Sequence, residues 1–132
     1  MSAGNLGVRQ STPTVAVSRA PENELPWGYM QWLCNGTMFD DAQQTVGYVE
    51  INPGSKNTRH LHPNSDEVLY LLQGELAHSL GEEIHQLSAG MAIHIPQGVA
   101  HDAINTGTVV ARMLVAYPTT DRQVVLCEEG QE

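Results

Sequence analysis

Basic residues are scarce in this 132-residue chain: Lys56 is the one lysine, and with five arginines it stands against fifteen acidic residues, for a formal net charge of −9. A surface of that sign repels phosphate backbones and anionic headgroups, so nucleic acid and membrane surfaces are excluded as partners. No apolar run approaches the ~18 residues that span a bilayer. The first residues, Arg9 among serine, threonine and proline, lack the apolar stretch of a secretion signal. A cytoplasmic protein is expected. Cysteine is limited to Cys34 and Cys127, which form no CxxC pair and lie far apart; in that compartment two free thiols are expected rather than a disulfide. Helical periodicity is also largely missing, and only residues 19–25 or the tail after Asp121 leave room for a helical turn or two.

What the chain has instead is a series of short apolar segments, at 28–34, 45–52, 57–62, 67–73, 75–80, 83–87, 91–95, 100–105, 109–117 and 122–127. Turn sequences such as Asn35-Gly36, Asn52-Pro53-Gly54, Gln73-Gly74 and Thr106-Gly107 separate them. Short strands at this spacing make an all-β pattern. The length suits one domain with one core, here residues 23–132. Residues 1–22, rich in Ser, Thr, Gly and Pro without periodicity, read as a flexible arm or an edge-strand extension. The acidic end, Glu128-Glu129, reads as solvated.

Within this pattern, His60 and His62 stand two apart, so on a strand they share a face and can grip one ion. The Pro63-Asn64-Ser65-Asp66 run reads as a turn that brings Glu67 back beside them, and a later strand can supply His101. A set of three imidazoles and one carboxylate is borderline in softness. It suits one divalent transition metal, Mn, Fe, Co, Ni or Zn, over Mg or Ca.

Glycines and a proline frame these ligands as Gly54-x5-His60-x-His62-x4-Glu67-x6-Gly74 and Gly90-x5-Pro96-x-Gly98-x2-His101-x3-Asn105, with 15 residues between Gly74 and Gly90. In both stretches the chain resembles the cupins, matching the two motifs of that family in full. The resemblance implies a double-stranded β-helix, the cupin jelly roll, with the metal inside the barrel, and a homodimer. It implies no single reaction, since the fold hosts oxygenases, isomerases, lyases, cyclases and binding proteins.

The family's apolar pattern places Val49, Ile51, Ile93, Ile95, Met113, Val115 and Tyr117 inside. Strand parity adds Leu69, Leu71, Ala103 and Asn105 to the ligand side and turns Val68 and Tyr70 outward. For strand 28–34, either Met30, Trp32 and Cys34 or Tyr29, Gln31 and Leu33 face in; periodicity leaves both open. Arg59 and Arg112 are expected to point outward. His78, His85 and His94 are expected to be exterior or interface histidines. Tyr48, Glu50 and Tyr70 are expected in packing or dimer contacts, Trp27 and Trp32 in the core or an interface, and Cys34 as a buried structural thiol. An aliphatic pocket around one metal fits a small organic chelating substrate.

Two departures narrow the chemistry. Cupin dimethylsulfoniopropionate lyases carry a tyrosine base two residues after the glutamate ligand, where this chain has Leu69. Cupin thiol dioxygenases usually lack the glutamate, which is present here. The expected function is a metal-dependent cupin enzyme, foremost a dioxygenase, with a non-redox isomerase, cyclase or lyase or a non-catalytic binding cupin as alternatives. By resemblance to quercetinase-type members, Glu67 could leave the metal and act as general base. No other inward carboxylate is evident, so proton transfer falls to Glu67 or to a hydroxide on the ion.

Overall fold

The computed structural model describes residues 6–127, which leaves Glu128-Glu129 and the first five residues of the arm outside the described residues. The expected all-β barrel is present, as two antiparallel sheets with their inner faces packed together. Its strands are β1 (Glu24–Leu25), β2 (Gly28–Cys34), β3 (Thr45–Ile51), β4 (His60–Leu61), β5 (Glu67–Gln73), β6 (Glu75–Leu80), β7 (Glu83–Ser88), β8 (Ala92–Ile95), β9 (His101–Asn105), β10 (Ala111–Tyr117) and β11 (Val125–Leu126). One sheet runs β1-β2-β3-β10-β5-β8 and the other β11-β4-β9-β6-β7. A single turn of 3-10 helix, Pro21–Asn23, falls where a helical turn was expected. Among the described residues no helix is long and apolar enough to cross a membrane.

Alternation along each strand builds the core. In the larger sheet one inner row crosses five strands as Trp32, Gly47, Val115, Leu69 and Ile93. Gly47 is needed in that row because a Cβ there would come within 3.0 Å of the Trp32 ring. Leu71, Ile51, Met113 and Ile95 are all at most 1% exposed. The parity left open for β2 is thereby resolved: Met30 and Trp32 face the core. A register shift between Trp32 and Cys34 takes the cysteine out of that alternation. Cys34 is half-buried rather than buried, its thiol toward the Gln44 carbonyl, and Cys34 and Cys127 are both free.

Three further expectations are corrected. Residues 57–59 and 122–124 are not strand, so β4 and β11 hold two residues each. The Asn57 side chain, not a regular ladder, takes the Ala103 N–H at 2.8 Å. Of the two roles expected for Tyr48, packing holds and a dimer contact does not, although it has the outward parity. It is 2% exposed, set edge-on to Tyr29, with Arg112 over its ring and its hydroxyl between Glu50 and the Arg112 Nε–H. Residues 16–19 run along the outer face of this half of the sheet: the Tyr29 hydroxyl donates to Ser18 O, the Gln31 amide to Ala16 O, and Arg19 pairs with Glu50 while stacking on Tyr29. His78 is the third correction, and it belongs to the site below.

The two sheets are joined at the end of the second motif by Asn105, which is 2% exposed. Its amide donates to the carbonyls of Ile51 and Val109, both at 2.8 Å, and its oxygen accepts the Gly107 N–H. Substituting Asn105→Ala removes one buried and two part-buried hydrogen bonds to backbone groups, and a buried group left unmet costs about 1–3 kcal/mol. Urea unfolding should therefore show a loss of about 2–4 kcal/mol, partial relaxation included, with an unchanged slope. A loss below about 0.5 kcal/mol would show that water replaces the amide at no cost.

Candidate metal centre

The four side chains singled out in the two motifs converge in one end of the barrel. His60 opens β4, and His62 follows Leu61 on the same face. Glu67 opens β5 after the Pro63–Asp66 turn, and His101 opens β9. His60 and His101 are direct cross-strand partners. The turn before His101 is tied to the first motif, since Gly98 N–H donates to His62 O at 2.9 Å and the Gln97 amide to Pro63 O. Gly98 holds φ at +80°, a region that costs other residues strain. At the far ends the motifs close on each other again, Gly54 N–H to Asn105 O and Asn105 N–H to Ser55 O. The ligand positions are thus set by backbone hydrogen bonds between the motifs.

Ring centroids of His60 lie 4.8 Å from His62 and 4.4 Å from His101, and the nitrogen donors of all three fall within 4.8 Å of one another. Glu67 Oε1 lies 3.2 Å from His62 Nε2 and 3.3 Å from His101 Nε2. His62, Glu67 and His101 are buried.

The tautomers follow from the surroundings. Each Nδ1 faces a backbone carbonyl: Thr58 O for His60, Gln123 O for His62 and Val99 O for His101, at 2.6, 2.8 and 2.9 Å. A carbonyl can only accept, so each Nδ1 carries a proton, and in the neutral form of each ring it is the Nε2 lone pair that faces the cluster. Burial, then His101, drives the His60 pKa down to about 3, so its ring is neutral at pH 7. For Glu67, burial pushes the carboxyl up, and the downward pull of His101 and His62 acts only while a proton or a cation sits between their Nε2 atoms and the carboxylate.

Three lone pairs and a carboxylate therefore face one another, and His62 Nε2, His101 Nε2 and Glu67 Oε1 are buried without hydrogen-bond partners. Leaving such acceptors unmet is costly. One shared proton would serve two of them, whereas one ion at their centre serves all four. The residues fit a divalent metal, and their carbonyl-anchored Nδ1–H groups are the supports that metal-binding imidazoles use.

The cavity beside the cluster is mostly apolar, lined by Trp27, Met30, Val49, Ile51, Leu69, Met113 and Val115, with Asn57, Thr58, His78, Tyr117 and Arg122 as its polar groups. His78, expected on the exterior, is 2% exposed and stacks on His101 at 5.8 Å with ring planes 12° apart. Its parity carried the signal: Leu76, two residues earlier on β6, faces the core, so His78 must as well. Burial, then His101, lowers its pKa to about 4. His85 and His94 are exposed as expected, beside Glu83 and Asp66. Burial, then the Glu67 charge, keeps the Tyr117 phenol protonated far above its ordinary range, and its ring meets His62 edge-on at 5.1 Å. Arg122 had no sequence signal, since it lies in an irregular stretch where no periodicity points it anywhere.

A protein named tetracenomycin polyketide synthase protein TcmJ, from Streptomyces glaucescens, is 36% identical over 100 residues, which span 76% of this chain and 67% of that protein. Oxalate oxidase GF-2.8 of wheat, Triticum aestivum, is 28% identical over 89 residues, covering 61% of this chain and 40% of its own length. Among solved structures, the formate complex of Lactobacillus farciminis oxalate decarboxylase superposes with a TM-score of 0.73 at 24% identity. It covers 78% of this chain, which spans only 32% of that larger one. The family model described as cupin domain matches residues 47–117, from the middle of β3 to the last residue of β10. That match takes in both motifs and more than half of the chain, which belongs to the cupin family.

Proposed function

We propose that this cupin is an enzyme in which His60, His62, Glu67 and His101 hold one divalent transition-metal ion, and that it carries out a dioxygenase-type oxidation of a small organic chelating substrate. The observation that carries the reading is the convergence of three imidazole nitrogens and one carboxylate oxygen, of which His62 Nε2, His101 Nε2 and Glu67 Oε1 are buried with no hydrogen-bond partner. The donor set suits Mn, Fe, Co, Ni or Zn. When bound, such an ion supplies Lewis acidity that acidifies a coordinated hydroxyl or carbon acid and, for all but Zn, a redox centre.

The chain's own residues divide the remaining work. The carbonyls of Thr58, Val99 and Gln123 hold the three imidazoles in register. The aliphatic lining excludes water and strengthens every charge interaction inside. Glu67 is the proton acceptor: it is the one carboxylate in the cavity lining. His78, neutral with Nδ1–H on Ser79 O, offers a second basic nitrogen. A non-redox cyclase or isomerase is the second reading, favoured by the similarity to TcmJ, a polyketide synthase protein, and by the apolar walls.

Oxygen uptake on a panel of diketones, flavonols and catechols separates the two, since only the first reading consumes O2 with substrate. Glu67→Gln keeps a coordinating oxygen but cannot take a proton. Its turnover should fall by about a hundredfold or more at matched metal content, within the range for a lost general base. Activity within a few-fold of wild type would pass the base role to His78.

We propose also that the chain forms a homodimer through the outer face of β5. Val68, Tyr70 and Leu72 stand there in a row, each 42–43% exposed, on the half of the sheet that the N-terminal segment leaves uncovered. Light scattering at micromolar concentration should give twice the chain mass, and Val68→Asp should give a folded monomer. A wild-type monomer with an intact thermal transition would reject the dimer.

A further inference from the structure

Arg122 lines the cavity beside the His60, His62, Glu67 and His101 cluster and is held there from several sides. The backbone on both sides of it is fastened to the strand that carries His60 and His62. Asn64 donates to Asp121 O at 2.8 Å and accepts from Gln123 N–H at 3.1 Å, β11 pairs with β4, and Gln123 O takes the His62 Nδ1–H. The guanidinium lies 4.9 Å from the Trp32 ring centre and 5.3 Å from that of Tyr117, which fixes its plane. It lines both the inner cavity and the outer groove formed by Trp32, Asn35, Thr45 and Asp121.

Its charge has no carboxylate beside it among the described residues, and the Tyr117 side chain is its hydrogen-bonding neighbour. Arg9, Arg19, Arg59 and Lys56 each pair with an acidic side chain, and Arg112 donates to Tyr48. Among the described residues no carboxylate pairs with Arg122, and its Nε is buried with no hydrogen-bond partner. A guanidinium cannot shed its proton to relieve this. Its planar fork of donors matches a carboxylate in particular. In a chain of net charge −9, such a group gives the cavity a local preference for anions that the rest of the surface opposes.

We propose that Arg122 binds the carboxylate of the substrate, so that the cavity takes small organic carboxylates whose other oxygen donors reach the His60, His62, Glu67 and His101 cluster. This rests on the metal-centre reading above and narrows its substrate class. The opposing view is that Arg122 only packs against Trp32 and Tyr117.

Calorimetric titration of the manganese-loaded protein separates the two, with oxalate as the carboxylate probe, acetylacetone as a chelating probe without a carboxylate, and metal content measured on each sample. Arg122→Gln should raise the oxalate dissociation constant about tenfold or more, leave acetylacetone within about twofold and leave manganese content unchanged. Arg122→Lys, a point charge without the fork, should fall between. Equal losses for both probes, a fall in manganese content, or no change for oxalate would overturn the proposal in favour of packing. A wild type that takes up no manganese would defeat the metal reading on its own. The oxalate titration of the metal-free chain then decides Arg122, and equal constants for wild type and Arg122→Gln would overturn its role.

Discussion

Four electron-pair donors meet in a buried space with no positive charge among them, and the rest of the molecule is arranged so that they cannot turn away. Each imidazole is held by a carbonyl on its far nitrogen, and the carboxylate is pinned between two rings. Buried acceptors facing one another are unfavourable by themselves. They persist because the two motifs bond to each other at both ends, Gly98 to His62 and Gly54 to Asn105, so moving one ligand would strain the backbone hydrogen bonds between the motifs. The barrel thus stores a cost at one point that a divalent ion would repay, as a preorganised metal site must.

The same arrangement links the site to the outside of the barrel. The chain after β10 returns along the cavity, where Gln123 supports His62 and Arg122 lies across Trp32 and Tyr117. The stretch 121–124 therefore touches both one imidazole of the cluster and the cavity lining. The residues before β1 cover the opposite side, on Tyr29, Gln31 and Glu50, and leave the outer face of β5 open.

The fold was legible because strand periodicity is local. The segments 28–34, 67–73 and 75–80 coincide with β2, β5 and β6, and the meeting of His60, His62, Glu67 and His101 was legible from motif spacing. What escaped the sequence depended on distant chain. β4 is short because Asn57 and the Thr58 carbonyl bond to a neighbouring strand and to a ligand ring instead of a ladder. Tyr48 is buried by Tyr29 and Arg112, and Arg122 is placed by pairing across some sixty residues, Asn64 to Gln123. His78 is a different case, because Leu76 and its alternation already pointed it inward.

Elemental analysis of protein purified without chelator, with His101→Ala beside it, tests the central claim most directly. The expected result is close to one divalent first-row transition ion per wild-type chain and loss of most of it in the variant, because removing one ligand also frees Glu67 from its neighbour. A wild type without transition metal that also refuses added Mn, Fe, Co, Ni and Zn, or a variant that keeps full occupancy after dialysis against chelator, would contradict the account.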